Sequence, residues 1–347
     1  MIGSFVGLSK KLKKGAGWVA RRFVNSFLPT GLVLMYHRVA EAGVDPWGLN
    51  VSPEHFREHV DYLDAHADVW RLKDYIRALR SKSLPDRAVV ITFDDGYVDN
   101  LLAAAPMLKA AGLPATFFIV TGAIGQAGEF WWDDLERCTL GKESLSPKLM
   151  DEIASLAGLG AFREQDWEGD REQREVPQAS QRALYDKLWH FAASESPESR
   201  SHFLAQLREA TGTPASARPT HRTMTVDELV SLSHITGMEV GAHGVTHTPL
   251  TALSTQEQRK EIVESKKWLQ DNIDESIEAF SYPNGALGDE TVDLLQEEGF
   301  SAACTTERGA VSRRTRPLML PRLHVPDVGG EEFEEWLENQ FRYVSAL

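Results

Sequence analysis

Long apolar runs are missing from this 347-residue sequence. No stretch approaches the roughly 18 apolar residues of a membrane-spanning helix, so none is expected. Cysteine is nearly absent, with only Cys138 and Cys304. Two thiols support neither a disulfide framework nor a CxxC zinc or redox site, and the expectation is two reduced, buried cysteines in a cytoplasmic protein. A basic excess is missing too. The formal charge of −14 argues against a nucleic-acid partner. At 42% hydrophobic and 25% charged, the composition is that of a globular protein, not a disordered or collagen-like one. The length allows two ordinary domains or one large barrel with insertions, and no internal repeat is present.

Acid is absent from the first 40 residues, which hold Lys10, Lys11, Lys13, Lys14, Arg21, Arg22 and Arg38. Phe5, Leu8, Leu12, Ala16, Val19, Phe23 and Phe27 recur there at helical spacing. Residues 1–30 therefore form a basic amphipathic segment, with Trp18 beside its stripe. Two readings stay open. The segment lies peripherally on the inner membrane face through residues 5–27, drawn by anionic lipid, or it packs its stripe on the rest of the protein. Arg21 and Arg22 interrupt the apolar stretch, which argues against a signal peptide.

From residue 31 onward, strand-like and helix-like segments alternate. Strands are expected at 32–36, 88–93, 115–120, 238–242, 279–282, 300–304 and 318–325. Helices are expected at 53–65, 101–111, 256–272 and 289–298. Repeated β–α units with apolar strands imply a parallel sheet with helices outside. Residues 125 to about 220 break this rhythm and read as a helical insertion between two strands. Within it, 164–175 is dominated by charge.

Polar residues collect just after the predicted strands, where ligands bind in parallel α/β folds. His37, Asp94, Asp95, His243 and the Pro283–Gly285 turn all fall there. Adjacent carboxylates in a sharp turn point in different directions, so one can bind a metal while the other faces substrate. The same Asp-Asp-Gly also suits a helix N-cap. His243 and His247 are four apart, which on a helical turn puts both imidazoles on one side. Two histidines and one carboxylate leave room for water and substrate, the composition of a catalytic zinc site. Cobalt and nickel share that donor preference. Trp131 and Trp132 follow. On a strand, adjacent tryptophans point oppositely, so at most one would stack on a sugar. Core packing is the alternative.

Thr92-Phe93-Asp94-Asp95-Gly96, then His243-x-x-x-His247, then Tyr282-Pro283-Asn284-Gly285, resembles the polysaccharide deacetylase (NodB-homology, carbohydrate esterase 4) family. Leu34-Met35-Tyr36-His37-Arg38-Val39 resembles a branch with circularly permuted motif order. The resemblance covers roughly 31–124 and 221–326. It implies a distorted (β/α)7 TIM-like barrel spanning 31–347 around the insertion. It implies metal-dependent removal of acetyl groups, usually N-acetyl, from a glycan or lipid-linked sugar. By that resemblance Asp94 is the general base and His37 the general acid. Asp95, His243 and His247 hold a divalent metal, zinc in the usual case. The backbone N–H of Asn284 donates to the oxyanion. Trp132, Tyr282 and Arg322 are the expected substrate contacts.

Two departures stand out. Ser281 occupies a position where the family often has an arginine paired with the base, and Arg322 is a candidate replacement. Gly244 stands where Ser or Thr is usual. His324 is a rival acid to His37. An amidohydrolase acting on a small non-sugar amide and a non-catalytic carbohydrate-binding relative are the competing readings.

Overall fold

A computed structural model describes residues 29–41, 43–83, 87–160 and 179–343. The basic segment at 1–30, its membrane contact through 5–27 and the charged stretch at 164–175 lie outside the described residues, apart from the last residues of the segment. Among the described residues no helix is long and apolar enough to cross a membrane.

Seven parallel strands close into a barrel. They are β1 (Pro29–Tyr36), β2 (Ala88–Phe93), β3 (Ala115–Ile119), β4 (Met238–Ala242), β5 (Ala279–Ser281), β6 (Ala302–Arg308) and β7 (Leu320–His324). Each pairs with the next in chain order except β7, which pairs with both β6 and β1. Closure comes from β1 against β2, in register from Gly31↔Ala88 to Tyr36↔Phe93. The (β/α)7 expectation is met.

Strand periodicity sorts the side chains. Leu32, Leu34 and Tyr36, with Val89, Ile91 and Phe93, join the large core beneath the helices. Val33, Val90, Phe118, Cys304 and Leu320 face the other way and fill the barrel interior. The helix α1 (Pro53–His66) starts at Ser52, whose side chain caps its first turn. Next comes α2 (Leu72–Arg80), which adds Leu72, Tyr75 and Ile76 to the interior cluster and so plugs the barrel floor. Higher up, the interior turns polar: Thr92, Ser281, Arg322 and Asp94 are all buried. Every side chain of β2 and β3 is buried, which is why both read as short continuous apolar runs. The helix α3 (Ala105–Ala111) follows β2.

The insertion is helical, with α4 (Trp131–Cys138), α5 (Pro147–Leu156), α6 (Ala179–Ser194) and α7 (Pro197–Thr211). It has its own core, built from Leu135, Met150, Ile153, Leu184, Leu188 and Leu207 among others. Trp131 and Trp132 thus open a helix rather than a strand. Four helices return the chain to the barrel and end it: α8 (Val226–Ser233), α9 (Thr255–Ile273), α10 (Asp289–Glu297) and α11 (Gly330–Tyr343). Capping boxes at Thr225 and Ser254 start α8 and α9.

Candidate active site

Strand parity delivers the reactive groups. Val33 and Val90 face the barrel interior, so His37 and Asp94, each an even number of residues further on, lead to its upper rim. Asp94 is 2% exposed. Arg322 grips it with two parallel hydrogen bonds, Nη1 to Oδ1 at 2.8 Å and Nη2 to Oδ2 at 2.6 Å. The same guanidinium donates to Ser281 Oγ (2.9 Å) and to the Thr305 carbonyl (2.8 Å). Ser281 Oγ in turn donates to Asp94 Oδ2 at 3.2 Å. Burial alone would raise the Asp94 carboxyl, but the Arg322 charge and its bidentate bonds hold it well below the ordinary range. Arg322 therefore fills the role left empty at Ser281. As a substrate contact it is corrected: it is 1% exposed and fully engaged by protein partners.

Asp95 has a left-handed backbone (φ 77°) and turns its side chain toward the two histidines. Its Oδ1 is buried and makes no hydrogen bond. His243 Nε2 and His247 Nε2 each lie 3.5 Å from that oxygen. Donors about 2.0–2.1 Å from one tetrahedral ion stand about 3.3–3.4 Å apart, so the spacing fits a shared cation. Ligand atoms of all three residues lie within 4.8 Å of one another, the one such group among the described residues. An orphaned buried carboxylate oxygen between two imidazoles is the arrangement a divalent ion would complete. The two aspartates turn to different partners, Asp94 to Arg322 and Asp95 to the histidines, and neither side chain caps α3.

The two histidines are held differently. His243 Nδ1 donates to the Ser281 carbonyl at 2.7 Å, which fixes the tautomer and leaves Nε2 free to bind metal. His247 is packed instead: Trp132 lies against its ring at 4.9 Å. Burial pushes the His247 pKa down to about 4. The helical turn expected for His243–His247 is not formed. The segment is a loop with φ +77° at Gly244 and +59° at His247. Glu261 of α9 builds that loop. It accepts from Val245 N (2.7 Å), Thr246 N (3.0 Å) and Thr246 Oγ1 (2.8 Å). A Cβ on Gly244 would meet Glu261 Oε2 at 3.0 Å, so glycine serves both the turn and the close approach.

Glu261 was not visible as functional in the sequence. A signal exists, because it sits with Gln258, Ile262, Ser265 and Leu269 on the buried stripe of α9. A charged residue in such a stripe needs a partner.

His37 follows β1. Burial lowers its pKa, while the Asp95 and Asp94 charges pull it up. Its Nδ1 is buried without a partner. His324 stands beyond it, ring to ring at 6.0 Å and nearly perpendicular. His324 is exposed, so His37 is the inner of the pair. Asn284 lies exposed in a 3-10 turn (Pro283–Gly285) with φ 55°, and its N–H belongs to the turn's first, unpaired donors. Gly285 is fixed by space as well as by φ +69°, since a Cβ there would collide with Thr306 Oγ1.

Tyr282 is a correction. It is fully buried and its hydroxyl donates to the Leu318 carbonyl at 2.8 Å, so it offers no face to a ligand. Trp132 is partly exposed at the rim. Its Nε1 donates to Tyr97 Oη (2.8 Å), and Tyr97 donates to Asp133 (2.7 Å). The Arg38 guanidinium lies 4.6 Å from the Tyr97 ring and bonds Asp99 at 3.1 Å, which ties the residue after His37 into the same network.

The polysaccharide deacetylase family model matches residues 81–154 and 204–303, half of the chain. The chain belongs to the polysaccharide deacetylase family. Among curated relatives of this deacetylase is the poly-beta-1,6-N-acetyl-D-glucosamine N-deacetylase of Staphylococcus aureus (strain MSSA476). It is 21% identical over 311 residues, covering 86% of this chain and 79% of the relative. Among solved structures, Streptococcus pyogenes deacetylase PplD in complex with acetate superposes with a TM-score of 0.55 at 18% identity, covering 88% and 96% of the two chains. IcaB from Ammonifex degensii gives 0.54 at 17% identity, covering 89% and 96%. These likenesses share the fold of the deacetylase barrel.

Proposed function

We propose that this deacetylase removes N-acetyl groups from hexosamine units of a glycan, using a divalent cation held by Asp95, His243 and His247. The donor set favours zinc. Such a cation supplies Lewis-acid polarisation of the acetyl carbonyl and acidifies water. Asp94, kept ionised by Arg322, takes the proton of the attacking water. The N–H of Asn284 donates to the oxyanion that develops as water adds to the carbonyl carbon. His37 delivers a proton to the sugar nitrogen as the C–N bond breaks, and acetate and a free amine leave. The S. aureus relative, by its name, acts on a β-1,6-linked N-acetylglucosamine polymer, and that polymer is the proposed substrate class.

The observation that carries this reading is the buried Arg322–Asp94 pair standing beside an unsatisfied Asp95 oxygen and two imidazoles. Binding a sugar would need no ionised, guanidinium-clamped carboxylate next to a metal site. The test is acetate release from β-1,6-linked N-acetylglucosamine oligomers, with a cyclic amide and an O-acetylated glycan as controls. Release from the oligomers that stops with a chelator and returns with zinc is expected. Turnover of the cyclic amide alone, or release indifferent to chelation, would reject the proposal.

A further inference from the structure

Trp47 and Leu102 are the exposed large hydrophobic residues among those described, and Trp47 is 41% exposed. It is also rigidly held. Its Nε1 donates to Tyr185 Oη of the insertion at 2.7 Å, and its ring rests 5.0 Å from Trp189. Asp45 closes the loop beneath it by accepting from Leu49 N (3.0 Å) and Asn50 N (2.8 Å). A lone exposed apolar side chain is ordinary, but an indole held this firmly offers a stacking face to a ligand.

Two chains of contacts run from Trp47 back to the active site, one to His37 and one to His247. On one side its neighbour Gly48 abuts His324, whose ring faces His37. On the other, Trp189 leads to Trp131 at 5.7 Å, Trp131 to Trp132 at 5.5 Å, and Trp132 to His247 at 4.9 Å. Trp47 and Trp132 line one narrow crevice together with Tyr97, Asp133 and Tyr185. The exposed indole thus shares a crevice with Trp132, the residue that packs on His247, on the side supplied by the insertion.

We infer that Trp47, backed by Trp189, is a distal sugar subsite that stacks on the C–H face of a unit further along the glycan than the one being deacetylated. Indole faces and the apolar face of a pyranose are complementary, and a pre-held ring loses little freedom on binding. The inference rests on the glycan reading of the active site and adds a preference for long substrates over short ones.

Steady-state kinetics of the metal-loaded full chain test it, with N-acetylglucosamine oligomers of one or two units and of five or more. Trp47→Ala should raise KM for the long oligomers about five- to tenfold, leaving kcat and the short-substrate KM unchanged. Trp47→Phe should restore most of the loss. An unchanged KM on long oligomers, or an equal rise on both lengths, would overturn the subsite while leaving the deacetylase reading intact. Tryptophan-fluorescence titration with the long oligomer reads the platform without turnover. Trp47-dependent binding without acetate release would support the subsite and reject the proposed reaction. A wild-type protein that binds no long oligomer would overturn the subsite.

Discussion

The barrel rim and the helical insertion solve different problems with different chemistry. At the rim, charge is buried and paired: Arg322 clamps Asp94, and Asp95 waits between two imidazoles. The insertion is a set of helices closed on an apolar core of their own. It meets the site through aromatic edges, Trp132 on His247 and, at the seam, Tyr97 on Asp133. The rim sets what reaction can occur, because it fixes protons and charge. The insertion decides how the rim is covered. Even the two histidines beside Asp95 show the division, one oriented by a barrel carbonyl and the other by an insertion tryptophan.

This contrast can be broken at several points. The largest effect is expected from Asp94→Asn, which should cut kcat by about 10²–10⁴ while leaving bound metal unchanged by elemental analysis. Full turnover in that variant would remove the rim's claim to the chemistry. Arg322→Met should come next. It leaves Asp94 buried and unpaired, a loss of about 3–5 kcal/mol in denaturant unfolding. It also raises the Asp94 pKa, so the acid limb of kcat/KM should move to higher pH, because the base works only when ionised. A limb that stays in place would mean that Arg322 does not tune the base.

Glu261→Ala should weaken metal binding about 10–100-fold, read by competition with a chromophoric chelator, though it touches no ligand. The smallest effect belongs to the seam. Burial raises the Asp133 carboxyl to about 7. A raised folded-state value means that stability is greatest below the ordinary carboxyl range and is lost as pH rises toward about 7. Asp133→Asn should therefore gain stability relative to wild type across pH 4–7, seen as diverging urea midpoints. Parallel midpoints would show that this seam carries no buried titrating acid.

Much of the barrel was legible because its signals are local. The strands at 88–93 and 238–242 lie where their apolar runs placed them. The helix expected at 256–272 gains only a residue at each end, since Ser254 caps it and its stripe is periodic. The grouping of Asp94, Asp95, His37 and His243 followed from one rule, that parallel strands deliver their following residues to one rim. The histidine pair was misjudged in conformation because spacing alone cannot distinguish a helical turn from a loop with two left-handed residues. Tyr282 was misjudged because motif membership says nothing about which face a side chain takes.

By itself the sequence determined which groups stand at the strand ends and hence the kind of chemistry available. Tertiary structure alone decided which of them meet. Arg322 reaches Asp94 across 228 residues of chain, Glu261 folds a loop 15 residues upstream, and Trp132 crosses from the insertion to His247. Each pairing depends on barrel closure and helix docking, and these set side-chain direction through contacts that no local pattern encodes.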